Sequence, residues 1–228
     1  MKVIEGKVVE ISYKDLLLEN NDYKSSHHHS KLMDKVHRAF GSDDDCLGIV
    51  AITDVPSFAK LRSKLLPLSY RLACTLSEKE LDDVTVESAC YSVGWSCGKE
   101  KVEGDKYDTS KGSFYANPIT DDLLQSTVQR SKGGLELKNP FQQLPCTEEE
   151  LIIIAAKNPA FFAPNVWPSQ SLQELEPTFK QLGLLIREVG LKVANLCDAY
   201  VSMKVGQKNC TYIIFLWYRM VNFNIIEK

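Results

Sequence analysis

Two hundred and twenty-eight residues, at about 150 per domain, make one large domain or one domain and part of another. With 44% hydrophobic and 25% charged residues the chain is of globular composition, which excludes a disordered, fibrous or collagen-like protein. A formal net charge of −3 leaves no basic field to draw in nucleic acid or an anionic membrane, and neither is expected as a partner.

A chain of this size buries roughly 70% of the surface that its unfolded form exposes, so it needs no covalent or metal staple. The seven cysteines are odd in number, irregularly spaced and without a Cys-x-x-Cys pair. The opening MKVIEGKVVE has no apolar stretch of signal-peptide length. Together these features predict reduced thiols, a cytoplasmic location and no zinc site.

In chain order, Lys7–Ser12 alternates apolar and polar residues and reads as a strand. The polar run Glu19–Ser30, with SSHHHS in it, reads as a solvated loop. A helix is expected over Lys31–Phe40, where Leu32, Val36 and Phe40 recur every four residues and Gly41 is a stop. The acids Asp43, Asp44 and Asp45 are contiguous, lack the alternate spacing of a calcium loop, and read as solvated surface.

Gly48–Thr53 is short, apolar and β-branched, the pattern of a buried strand. Pro56 is placed to open a helix running to about Cys74, with Pro67 expected to kink or divide it. Ser77 and Glu80 have capping-box spacing. Tyr91–Glu100 and Gly112–Pro118 are glycine-punctuated and aromatic, hence extended, with a charged turn region between them. Asp121–Glu150 carries no convincing pattern, and only Leu151–Ala156 beyond it reads as an element.

The strongest periodicity follows. Leu172, Leu175, Phe179, Leu182, Ile186, Val189, Val193, Leu196 and Tyr200 are spaced alternately three and four, an unbroken apolar stripe on one long helix. Ser171 and Glu174 have capping-box spacing at its start, while Pro177 and Gly190 are internal weaknesses. After it, Tyr212–Tyr218 (YIIFLWY) is continuously apolar and too short for a membrane span.

Several ordered blocks resemble the N-terminal region of plant-type 2-oxoglutarate and iron(II)-dependent oxygenases, the isopenicillin-N-synthase-like group. They are VVEISYKDL, GIVAITDVPSFAKLRSKLLPLSYRLA, YSVGWSCGKEKVEGDKYDTSKGSFYANPIT and NVWPSQSLQELEPTFKQLG. The likeness runs from about Val8 to Ser202, except for an insertion-like segment near 123–150. Cys97 departs from it, standing where a histidine is expected in close relatives.

The resemblance implies an α+β fold: a helical and mixed N-terminal domain over 1–202, beside a jelly-roll barrel that holds the chemistry. It also implies Fe(II) held by a His-x-Asp and a distant histidine, leaving open positions for 2-oxoglutarate and oxygen. This sequence has four histidines, His27, His28, His29 and His37, and no His-x-Asp. Too few residues follow Ser202 for eight strands of about five or six residues each. Most of the barrel is therefore expected to be missing, and 203–228 reads as an atypical tail resembling read-through sequence.

The expectation is thus a truncated homologue without catalytic, cofactor-binding or metal-ligating residues of its own, and with no cofactor on this chain. Two other readings stay open: a dioxygenase active only in a longer product, and a binding module. The Leu172–Tyr200 stripe is then expected to mediate self-association or chaperone contact. Three adjacent histidines cannot converge on one ion, and Asp34 with His37, three apart, would give at most an adventitious surface site. The tyrosine and asparagine of GSFYANP are expected to serve packing.

Overall fold

The computed structural model describes residues 7–17, 27–99, 101–132 and 147–205. It is a mixed α+β fold that divides into two compact units, one holding the described residues up to Ala59 and from Leu185 onward, the other Lys60–Leu184.

In the first unit, strands β1 (Val9–Ser12) and β2 (Val50–Thr53) pair in parallel, with Val9 opposite Val50 and Ile11 opposite Ile52. Parallel pairing needs a long crossover, and α2 (His27–Phe40) supplies it. Ser12 ends β1 and caps the short α1 (Tyr13–Leu16) by accepting the Asp15 amide (3.2 Å). Helix α2 buries Leu32, Met33 and Val36 against Ile11, Leu16 and Leu196, while Phe40, the third residue of the expected repeat, is exposed at the helix end. It starts earlier than its periodicity predicts, so the three adjacent histidines lie in its first turn and not in a loop.

After β2, Asp54 and Ser57 take left-handed backbone (φ 58° and 65°). That turn holds Pro56 outside the helix it was expected to open, and α3 runs over Phe58–Thr75. Pro67 lies inside α3 without dividing it, while Leu65, Leu68 and Leu72 bury one face.

In the second unit, α4 (Glu78–Asp83) carries the expected capping box between Ser77 and Glu80. Strands β3 (Gly94–Cys97) and β6 (Gly112–Tyr115) pair antiparallel, Trp95 opposite Phe114. The charged stretch between them folds as a small hairpin of β4 (Lys101–Glu103) and β5 (Lys106–Tyr107), turning at Gly104 (φ 59°). The weakly patterned region contains α5 (Leu123–Lys132); α6 (Glu148–Lys157) follows, then α7 (Pro159–Phe162). Phe114, Trp167 and Phe179 form an aromatic cluster with centroids 5.6–6.4 Å apart.

The long stripe folds as α8 (Leu175–Val205), a helix that serves both units. Ser171 and Leu172 precede it, and the Ser171 hydroxyl donates to Glu80. Pro177 is third in the helix, where its missing N–H costs nothing. Within the second unit Leu172, Leu175, Phe179 and Leu182 are buried, so this half of the stripe is already covered. Within the first, Ile186, Val189, Val193 and Tyr200 remain half-buried. The tail Tyr212–Tyr218 lies outside the described residues, as do Cys146 and Cys210.

Candidate functional site

The half-buried side of α8 faces a cavity of about 700 Å³ in the first unit. Val36 and Phe40 of α2, Ile49, Val50 and Ile52 at β2, and Val189, Val193, Cys197 and Tyr200 of α8 line it. The pattern of the sequence explains the lining: the apolar faces of α2, β2 and α8 converge, and no described element closes over them.

One polar array stands at its margin. Nε2 of His37 lies 2.9 Å from Oδ2 of Asp43, and Nδ1 lies 2.7 Å from the Tyr200 hydroxyl. With the carboxylate accepting from Nε2–H, Nδ1 is left to accept the phenolic proton. The His37 carbonyl accepts the Gly41 amide (2.7 Å) and the Cys46 thiol (3.2 Å), which closes the C-terminal end of α2. The array is a clamp between the end of α2, its following loop and the last turns of α8.

Beside Tyr200 on α8, burial and then the charge of Asp198 push the Cys197 thiol up to about 11. Burial also raises the Asp198 carboxyl above the usual range, and its Oδ1 has no hydrogen-bond partner among the described residues. A thiol held protonated is a poor nucleophile and a poor metal ligand.

The ferrous set implied by the resemblance can be tested against these side chains. Iron(II) in that chemistry needs two imidazoles and one carboxylate on one face of the ion. His27, His28 and His29 are consecutive residues in the first turn of α2. Asp34 is exposed, and His37 is bonded instead to Asp43 and Tyr200. Donor atoms of Asp43, Asp45 and Cys46 come within 4.8 Å of one another, a trio with no imidazole in an exposed loop. Among the described side chains no set fits the iron.

In the second unit, Asp121 collects the indole N–H of Trp167 (2.9 Å), the Asn165 amide (2.9 Å) and Lys180 Nζ (2.5 Å). Burial works to raise the Asp121 carboxyl, but these donors outweigh it and hold it below the ordinary range. Asn117 Oδ1 accepts the Ile119 amide (2.8 Å) and its backbone N–H donates to Asn165 Oδ1 (2.7 Å). The asparagine of GSFYANP thus holds a turn. The cysteines Cys46, Cys74, Cys90, Cys97 and Cys197 carry free thiols.

The reading of the sequence did not anticipate the Asp43–His37–Tyr200 array. In the sequence Tyr200 falls in the apolar stripe and Asp43 in a run of three acids. No local signal joins residues 163 positions apart. No protein-family model, no curated protein and no solved structure matches this chain. No helix among the described residues is long and apolar enough to cross a membrane.

Proposed function

We propose that this chain is a homologue of the N-terminal support region of 2-oxoglutarate and iron(II)-dependent oxygenases, and that it is catalytically silent by itself. The ordered blocks from Val8 to Ser202 support the homology. The commitment of His37 to Asp43 and Tyr200 carries the silence, because it removes the one imidazole that stands apart from the consecutive three. Recruiting His37 to a metal would break its ring's contacts with Asp43 and Tyr200, with no second imidazole among the described side chains to complete the set. The chain then acts as a scaffold that presents an apolar face, not as a redox centre.

Incubation with Fe(II), ascorbate and 2-oxoglutarate under air tests this. The expected result is succinate at the level of a protein-free control. Succinate formed in proportion to added chain, and abolished in His37→Ala, would overturn it.

A further inference from the structure

We draw no further inference here: the strongest candidate, the apolar cavity that α2, β2 and α8 line in the first unit, carries nothing because nothing among the described residues shows what covers it.

Discussion

The Tyr200 hydroxyl lies 2.7 Å from Nδ1 of His37, a hydrogen bond that joins the penultimate turn of α8 to the last turn of α2. Because Asp43 holds the opposite nitrogen, the imidazole is fixed at both ends. Tyr200→Phe should therefore cost about 1 kcal/mol, the usual net worth of one hydrogen bond, and His37→Ala more. Urea denaturation of both single variants and the double variant reads the coupling. Strict additivity of the two losses would mean that the bond contributes nothing.

Asp198 predicts a pH dependence. Burial raises its carboxyl in the folded chain, so the fold favours the protonated form. The sign follows from linkage: stability is fully present below the unfolded carboxyl value of about 3.9 and is lost as pH rises through the raised folded value. Asp198→Asn should melt at a higher temperature than the unaltered chain at neutral pH, with the advantage shrinking near pH 4. An equal shift at both pH values would refute the desolvation argument.

The thiols should react in a fixed order. Cys74 and Cys90 are exposed, whereas Cys197 is half-buried with its thiol pushed up to about 11. The thiolate is the reactive form. Iodoacetamide at mildly alkaline pH, followed by peptide mass mapping, should label Cys74 and Cys90 first and Cys197 last.

Gly183 sits in α8 with Pro118 against it, and a Cβ there would lie 2.5 Å from the Pro118 Cβ. On helix propensity alone Gly183→Ala should stabilise by about 1 kcal/mol. Close approach reverses the sign, since neither the helix backbone nor the proline ring can yield easily. The variant should melt below the unaltered chain, and Pro118→Ala should relieve part of the loss.

Much of the fold was legible where the local signal and the packing agree. The alternation of Val9 and Ile11, the buried pair Leu32 and Val36 of α2 and the Ser77–Glu80 box fold as their patterns predict. The second box did not form: Glu80 accepts from Ser77 through one carboxylate oxygen and from Ser171 through the other. Helix α6 has its own box, Thr147 with Glu150, whose spacing is present in the run PCTEEE at the end of a featureless stretch. At the start of helix α5, Asp122 Oδ1 accepts the Gln125 amide (2.8 Å). The His37 array was illegible because its partners come together only when α2 and α8 pack.

Whether this chain holds a ferrous centre is settled most directly by anaerobic loading with Fe(II), desalting, and counting the iron retained per chain. The arrangement of His37, Asp43 and Tyr200 predicts far less than one equivalent, unchanged in His37→Ala. One equivalent retained by the unaltered chain and lost in that variant would contradict it.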